Sequence, residues 1–304
     1  MQRLLLILDY NFKRWSTLDI FFCRLAVACA EKGAEVTVAV PIAPAASVRK
    51  HFEHPGIAFT VLDKWRDVPD DIASRRHPCR AIRQLTRAVD LNTVDASLMF
   101  FCSPEFAIVF ALTARLRRAR PRLVFSQRGA VRLSSDPLRC FLSKHISKLR
   151  LASHFVDSIV PNYETARQIL VRKGIPAAKI QPIYNGLTED AFSQSIAAAD
   201  LSELGLNGDA PVVLFVGSLI PRKGVSDLIE AAAAVPDAQF LLVGDGPLKE
   251  SLDQRIAELK LGKRMVLAGH RTDVPQLMRA ADMLVLPAYA EGLPNVVLEA
   301  GAAR

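Results

Sequence analysis

Two glutamates and a proline near the end of the chain form the pattern with the clearest chemical meaning. Glu291 and Glu299 have seven residues between them, among them Pro294. Proline suits the first turn of a helix, where a missing N–H costs little. A helix that begins there presents free N–H groups and partial positive charge to an anion such as a diphosphate. With one acid before the helix and one inside it, the pattern favours a ligand with hydroxyl groups on both sides of a charged centre, as in a sugar nucleotide.

Two glycine-containing turns supply the cations and the close approach that such a ligand needs. Gly217 opens a turn that ends in Arg222 and Lys223, directly after a predicted strand. Arginine grips a phosphate with a bidentate fork, and lysine acts as a point charge. The second turn contains Gly244 and Gly246 and follows the next predicted strand. These two glycines also fit a turn with a purely structural role, so both interpretations stay open.

Strands and helices must hold these turns, and their patterns alternate in both halves of the chain. Strands are predicted over 4–8, 35–40, 57–62, 96–101, 123–126, 158–160, 180–183, 212–216, 239–243, 266–268 and 283–286. Helices are predicted over 18–32, 104–118, 137–152, 164–173, 225–234, 248–259 and 274–280, and from about 294. The alternation predicts an α/β fold with two doubly wound, Rossmann-like domains, residues 1–186 and 187–304. Ligands of such sheets bind at the carboxyl ends of the strands, in a cleft where two domains face each other.

Composition excludes several classes of protein. The 304 residues are 50% hydrophobic and 23% charged, which excludes a disordered or fibrous chain. The five cysteines form no CxxC pair and predict reduced thiols in a cytoplasmic protein. No Asp-x-Asp motif is present, so we expect no metal site. Apolar runs fall short of the ~20 residues that a membrane-spanning helix needs.

Charge is shared unevenly along the chain. The net charge is +12 over residues 1–150 and −4 over residues 151–304, which gives the overall +8. A basic half favours an anionic partner, such as a phosphorylated acceptor, an anionic lipid surface or a nucleic acid. A solvated basic face is an equally good interpretation. No nucleic-acid recognition motif accompanies the charge, so we expect no nucleic acid among the partners.

The ordered set of motifs resembles the retaining glycosyltransferases of family GT4, which have the GT-B fold of two Rossmann-like domains. The resemblance extends from about Val156 to Ala302. It rests on Tyr184-Asn185-Gly186, Gly217-Ser218, Arg222-Lys223-Gly224, the segment Leu242–Pro247, Glu291 and Glu299. It implies one more strand and further helices after Arg304, so the second domain is expected to be incomplete.

The resemblance implies a role for each matching residue. Glu299 would hold the nucleotide ribose, and Glu291 would approach the transferred sugar. Arg222 and Lys223 would stabilise the leaving diphosphate. The remaining donor-binding candidates are Gly217, Gly244, Gly246, Gly292, Leu293 and Asn295. The residues 1–186 would bind the acceptor, and 187–304 the donor.

Two further arginines are candidates outside these motifs. Arg271 follows a predicted strand and is placed to contact the nucleobase, whereas its neighbour His270 is more typical of a loop histidine. Arg128 belongs to a Gln-Arg-Gly segment that looks like an Arg-Gly variant of the family, which implies a position near the sugar or acceptor.

The implied activity is retaining, metal-independent sugar transfer from a UDP- or GDP-sugar to a glycan or lipid-linked acceptor in cell-envelope polysaccharide synthesis. No cofactor is expected beyond the nucleotide sugar. The protein would be cytoplasmic and peripheral on the inner face of the membrane. Because the second domain is expected to be incomplete, we expect weak or no activity from this chain. The alternatives are a catalytically defective fragment that binds sugar nucleotides and a GT-B sugar-nucleotide epimerase.

Overall fold

A computed structural model describes residues 1–9, 17–62, 78–128, 147–187, 196–206 and 210–303. The chain divides into two compact units, Met1–Tyr184 and Asn185–Arg304. Each unit is built around its own parallel sheet. The segment 196–206 packs into the core of the second unit through Leu206 and its neighbours.

The first unit contains a six-stranded parallel sheet in the order β3-β2-β1-β4-β5-β6. Its strands are β1 (Arg3–Leu8), β2 (Glu35–Val40), β3 (Ile57–Val61), β4 (Ala96–Phe100), β5 (Arg122–Gln127) and β6 (Ser158–Pro161). Its helices are α1 (Thr17–Glu31), α2 (Ala46–Arg49), α3 (Pro78–Ala88), α4 (Pro104–Leu116), α5 (Lys148–Ser153) and α6 (Glu164–Arg172). Gly33 and Gly174 follow α1 and α6 with φ of +85° and +83°, the left-handed conformation in which glycines commonly end helices.

Buried side chains alternate between the two faces of β1. Leu5 and Ile7 enter a core that also holds side chains from α3, α4 and α6. Leu6 and Leu8 enter a second core, together with α1 and Phe52. All four leucine and isoleucine side chains are fully buried, as expected of a central parallel strand that helices cover on both faces.

The second unit contains a four-stranded parallel sheet in the order β10-β7-β8-β9. Its strands are β7 (Val212–Val216), β8 (Gln239–Val243), β9 (Met265–Gly269) and β10 (Met283–Leu284). Its helices are α7 (Val225–Ala233), α8 (Lys249–Glu258), α9 (Val274–Ala280) and α10 (Asn295–Ala302). Strand β10 lies at one edge of this sheet. All four strands run the same way, so their carboxyl ends meet at one edge of the sheet.

The structure corrects the predicted strand 180–183, which is reduced to a single bridge between Ile159 and Ile180. The next rung of a parallel ladder would need an N–H from Pro161, which proline lacks. The amides of Gln181 and Ile183 still donate to the carbonyls of Ile159 and Pro161. The segment therefore follows the sheet edge without forming a regular strand.

Other boundaries differ by a few residues. Strand β10 ends at Leu284 rather than at 286, although the amide of Val285 still donates to Leu214. Pro294 immediately precedes α10 instead of lying inside its first turn. Of the predicted helix 137–152, the part before Ser147 lies outside the described residues.

Within the described part of the chain, no helix is both long and apolar enough to cross a bilayer.

Candidate functional site

Three of the predicted site residues form one ion-pair cluster at the carboxyl edge of the second sheet. The carboxylate of Glu291 accepts from Lys223 Nζ at 2.6 Å and from an Arg222 guanidinium nitrogen at 3.0 Å, both through Oε1. The same Arg222 nitrogen donates to the carbonyl of Ala290 at 2.6 Å. The Lys223 side chain is 15% exposed, Glu291 21% and Arg222 50%. The cluster carries two cations and one anion, so one positive charge remains for a further anion.

Backbone contacts hold the two loops of this cluster together. The amide of Tyr289 donates to the carbonyl of Arg222 at 3.0 Å. Gly224 has φ of +65°, and a Cβ built there would lie 2.2 Å from the carbonyl oxygen of Pro287. Only glycine fits this contact without displacing backbone. The Arg222–Lys223 turn is therefore fixed against the loop that carries Glu291.

The predicted glycines bring two neighbouring turns into direct contact. A Cβ on Gly244 would lie 1.8 Å from the carbonyl oxygen of Gly217, and a Cβ on Gly246 would lie 2.4 Å from that of Leu219. The amide of Leu219 donates to Asp245, at 2.9 Å. This packing supplies a structural reason for Gly244 and Gly246. Their contact with a donor stays a prediction.

Asn185 fixes the start of α10. Its side-chain amide donates to the carbonyl of Leu293 at 2.9 Å and to the side-chain oxygen of Asn295 at 2.7 Å. The residue at the N-cap position of α10 is Pro294, and its side chain makes no capping hydrogen bond. The sequence identified Asn185 only as part of a motif and missed this role. Its place beside a glycine, far from the helix it contacts, gave no local signal.

The remaining donor-site candidates lie on α10 or just before it. Gly292 and Leu293 connect Glu291 to the helix. Four residues of extended chain span at most about 15 Å, which limits the distance between the backbones of Glu291 and Asn295. Glu299 lies one turn into α10, about 6 Å along the axis from Asn295. Glu299 is partly buried. Val296 and Ala300 of α10 pack into the core of the second unit, and the helix contacts α9. This packing holds the helix start at the sheet edge.

Tyr289 is an additional polar residue beside the cluster. Its hydroxyl donates to Asp227 Oδ2 at 2.5 Å. This hydrogen bond raises the pKa of Tyr289. Asp227 lies in the first turn of α7, so the contact ties the Glu291 loop to the helix that follows Lys223. An exposed tyrosine and a helical aspartate 62 residues apart gave no sequence signal.

Arg271 is placed at the same edge but already has an anionic partner. Its guanidinium makes a bidentate pair with Asp273, at 2.8 and 2.6 Å. The pair lowers the pKa of Asp273. His270, beside it, is exposed, as expected of a loop histidine. A contact between Arg271 and a nucleobase stays a prediction.

Arg128 lies at the carboxyl edge of the first sheet, directly after β5. Its guanidinium stacks on the ring of Phe21, 4.1 Å from the centroid. Burial lowers the pKa of Arg128 to about 10, so the side chain stays cationic at neutral pH. The aromatic support holds a desolvated cation where ligands of parallel sheets bind. The following residues, from Gly129, lie outside the described part of the chain.

The second unit thus presents a partly buried cation pair, a carboxylate and an uncapped helix start at one sheet edge. Anions bind to such arrangements of fixed N–H groups and cations. Among the residues that the structure describes, no group of three His, Cys, Asp or Glu side chains is placed to hold a metal ion.

Two curated relatives each match less than half of this chain. The chain is 38% identical over 131 residues to an Escherichia coli protein named UDP-Gal:alpha-D-GlcNAc-diphosphoundecaprenol alpha-1,3-galactosyltransferase. The matched region covers 40% of this chain and 34% of the relative. It is 33% identical over 152 residues to D-inositol 3-phosphate glycosyltransferase of Mycobacteroides abscessus, covering 47% of this chain and 34% of the relative. The chain therefore matches about a third of the length of these relatives.

Solved structures match along the whole chain. HepE of Anabaena in complex with UDP superposes with a TM-score of 0.72 at 21% identity, covering 100% of this chain and 79% of that one. WaaG, a glycosyltransferase involved in lipopolysaccharide biosynthesis, gives a TM-score of 0.65 at 17% identity, covering 98% and 79%. These similarities confirm the expected fold class, α/β with a parallel sheet in each domain as in GT-B proteins.

Family models match both units. The model described as "glycosyl transferases group 1" matches residues 198–304. The model described as "glycosyl transferase 4-like domain" matches residues 19–186, more than half of the chain. The resemblance expected from the motifs is confirmed: this chain belongs to the glycosyl transferase 4-like family.

Proposed function

We propose that this chain transfers a sugar from a nucleotide-diphospho-sugar to a glycan or lipid-linked acceptor. The observation that carries the proposal is the cluster of Arg222, Lys223 and Glu291 beside the start of α10. Its remaining positive charge suits the diphosphate of a donor. A UDP donor is favoured because the E. coli relative is named for UDP-Gal and HepE is described with UDP-glucose.

Leaving-group stabilisation is the proposed source of the rate acceleration. The bond between the sugar's anomeric carbon and the β-phosphate oxygen breaks, and negative charge grows on that oxygen. A cation at ~4 Å stabilises it by about 4 kcal/mol at an effective dielectric constant of 20. If this gain is confined to the transition state, it raises the rate about a thousandfold. Arg222 and Lys223 supply this charge without the cost of ordering water.

Retention of the anomeric configuration follows if the acceptor hydroxyl attacks on the leaving-group face. The new bond joins the acceptor oxygen to the anomeric carbon, and the acceptor proton passes to the departing phosphate. No protein base and no metal are required in this scheme. Glu291 would accept hydrogen bonds from the transferred sugar, and Glu299 from the ribose. Arg128 would serve the sugar or the acceptor from the first unit.

The acceptor is proposed to belong to cell-envelope polysaccharide synthesis, on the inner face of the cytoplasmic membrane. The name of the E. coli relative includes a lipid diphosphate acceptor, and WaaG is involved in lipopolysaccharide biosynthesis. The +12 charge of residues 1–150 suits attraction to an anionic leaflet.

A thermal-shift panel of UDP-, GDP- and ADP-sugars tests the donor site. A ligand at ~100 times its Kd stabilises the fold by about 2.7 kcal/mol. We expect one nucleotide class to raise the Tm, and Lys223→Ala and Glu299→Ala to abolish the shift. Lys263→Ala is the matched control, since Lys263 is exposed and precedes β9 at the opposite edge of the sheet. The donor-site proposal fails if no nucleotide shifts the Tm.

Product analysis then separates the possible outcomes of binding. Transfer to added undecaprenyl-diphosphate glycans supports the proposal. Binding without turnover on any acceptor indicates a nucleotide-sugar-binding protein instead. Release of isomeric sugar nucleotides without an acceptor indicates an epimerase.

A further inference from the structure

Arginine is concentrated on one stretch of the first unit. Residues 78–122 contain eight arginines, no lysine and three acids. Each acid already has a local partner. Asp90 accepts from the amide of Asn92, Asp95 from the amide of Arg3, and Glu105 pairs with Lys148. The amide hydrogen bonds leave the charges of Asp90 and Asp95 in place, but eight arginines against three acids still give this stretch a net charge of +5.

These arginines form one surface, which we call the basic surface. It consists of Arg80, Arg83, Arg87, Arg115, Arg117, Arg118, Arg120 and Arg122, all of them exposed. Arg80, Arg83 and Arg87 lie on successive turns of α3. A bond from the Arg117 guanidinium to the carbonyl of Thr86, at 3.2 Å, joins α3 to the end of α4. The basic surface thus continues from α3 across the end of α4 to the start of β5.

A cavity of about 770 Å³ opens within the basic surface. Four of the arginines line it, together with apolar side chains of α4 and Phe155. The Arg115 guanidinium lies over the Phe155 ring, 5.4 Å from its centroid. Asp157 also lines the cavity and accepts from the amide of Leu123 at 2.7 Å. Because β5 begins at Arg122, the cavity lies at the amino edge of the sheet, opposite Arg128.

Two exposed leucines accompany the arginines on α4. Leu112 is 43% exposed and Leu116 is 87% exposed. They are four residues apart, so they share one stripe of the helix. Apolar side chains surrounded by cations are typical of surfaces that lie in a membrane interface. A site for a soluble anion alone would not need them.

Arg118 occupies a backbone conformation that favours glycine. Its φ is +61°. The amides of Arg118 and Ala119 donate to the carbonyls of Arg115 and Ala114, which ends α4 in a left-handed turn. Glycine adopts this conformation at lower cost than arginine. A glycine at position 118 therefore removes the charge without straining the turn.

We propose that the basic surface docks this protein on anionic phospholipids, with Leu112 and Leu116 entering the bilayer interface. The cavity would receive the phosphate of one lipid headgroup between its arginines. Guanidinium groups bind phosphate oxygens through paired hydrogen bonds. The inference deepens the membrane placement in the proposed function. Vesicle binding needs no nucleotide sugar, so the two proposals fail separately.

Sedimentation of the full chain with vesicles tests the docking. We expect binding to vesicles of phosphatidylcholine mixed with phosphatidylglycerol and much weaker binding to phosphatidylcholine alone. Each basic residue near an anionic surface contributes about a factor of five. The double variant Arg118→Gly/Arg120→Ala is therefore expected to bind about thirtyfold more weakly. Its Tm should be unchanged or higher, because glycine relieves the left-handed position, and this separates lost binding from misfolding.

A second double variant controls for the loss of charge itself. Arg49→Ala/Lys50→Ala removes two exposed cations flanked by Val48 and Phe52, which pack in the core on the other face of the sheet. We expect this variant to bind the mixed vesicles as the unaltered chain does. Equal losses for the two double variants would overturn the assignment to the basic surface.

Leu116→Ser separates a lipid surface from a soluble anion. The variant should bind the mixed vesicles several-fold more weakly, because part of the apolar contact is lost. Its binding of tripolyphosphate, measured by calorimetry, should not change. The proposal is overturned if neutral vesicles bind as well as anionic ones. It is also overturned if the basic surface binds tripolyphosphate or RNA while no vesicle binds.

Discussion

Replacing Glu291 by glutamine separates its two proposed effects on a donor. In the structure its carboxylate lies 2.6 Å from Lys223 and 3.0 Å from Arg222. A diphosphate bound to the same cations would share them with this carboxylate. Glutamine removes the negative charge and keeps the side-chain length. We therefore expect Glu291→Gln to bind free UDP or GDP more tightly and to transfer sugar more slowly.

The size of the affinity gain follows from the distances. Two anions on one cation are about 5 Å apart, since each N···O contact is ~2.8 Å. Their repulsion is about 1 kcal/mol in water and about 3 kcal/mol at an effective dielectric constant of 20. The side chains of Glu291 and Lys223 are 21% and 15% exposed. This partial burial places the repulsion energy between the value for water and the value for a dielectric constant of 20. The nucleotide diphosphate should bind about fivefold to about a hundredfold more tightly.

Calorimetric titration of the nucleotide diphosphate and of its sugar conjugate measures both effects. In the variant, the sugar conjugate should lose part of its advantage over the free diphosphate, because a neutral amide oxygen accepts weaker hydrogen bonds from sugar hydroxyls than a carboxylate does. Glu230→Gln is the matched control. Glu230 pairs with Arg255 at 2.6 Å in the same unit, so its loss should leave both affinities unchanged. Weaker binding of the diphosphate to Glu291→Gln would refute the reasoning, because it would mean that the carboxylate chiefly holds the cations in place.

Two further substitutions test the framework of the site. Gly224→Ala should lower the Tm and weaken nucleotide binding, because a Cβ would lie 2.2 Å from the Pro287 carbonyl oxygen. Gly262→Ala is the control and should change neither, because a Cβ at that position meets nothing within 4 Å. Equal effects of the two substitutions would contradict the packing argument. Asp273→Asn should lower the Tm at neutral pH but not in acid, measured by thermal melts across pH. The Arg271 guanidinium lowers the pKa of Asp273 in the folded protein. The ion pair therefore stabilises the fold at pH values above the pKa of Asp273 in the unfolded chain, and this stabilisation is lost as the pH falls through the pKa in the folded protein. A Tm difference that persists in acid would contradict this.

Rules of local and parallel-sheet structure were sufficient to predict much of the fold. The predicted strand 4–8 is a continuous apolar run, which is typical of a parallel strand covered on both faces, and residues 5–8 are fully buried in the structure. Regular βα alternation predicted one doubly wound sheet in each half, and the structure has two parallel sheets. Where a prediction was wrong, at 180–183, the obstacle was a proline in the partner strand. A ladder depends on both strands, and sequence patterns consider one at a time.

The candidate site was predictable in place but not in its contacts. Strand order explains why residues 69 apart, Arg222 and Glu291, meet: β10 pairs with β7, so the loops after both strands are neighbours. That Glu291 neutralises one of the two cations depends on side-chain geometry, which no spacing rule supplies. The same holds for the Phe21 ring beneath Arg128 and for Asp273 beside Arg271.

Asn185 connects these observations into one physical unit. It is the first residue of the second unit. Its side-chain amide donates two hydrogen bonds, both to the segment that starts α10. Glu291 is tied to Lys223 at the other end of that segment. The residues from Glu291 to Asn295 are thus fixed at both ends by side chains remote in sequence. A helix start held in this way keeps its N–H groups oriented before any ligand arrives, and such preorganisation is what electrostatic stabilisation of a leaving group requires.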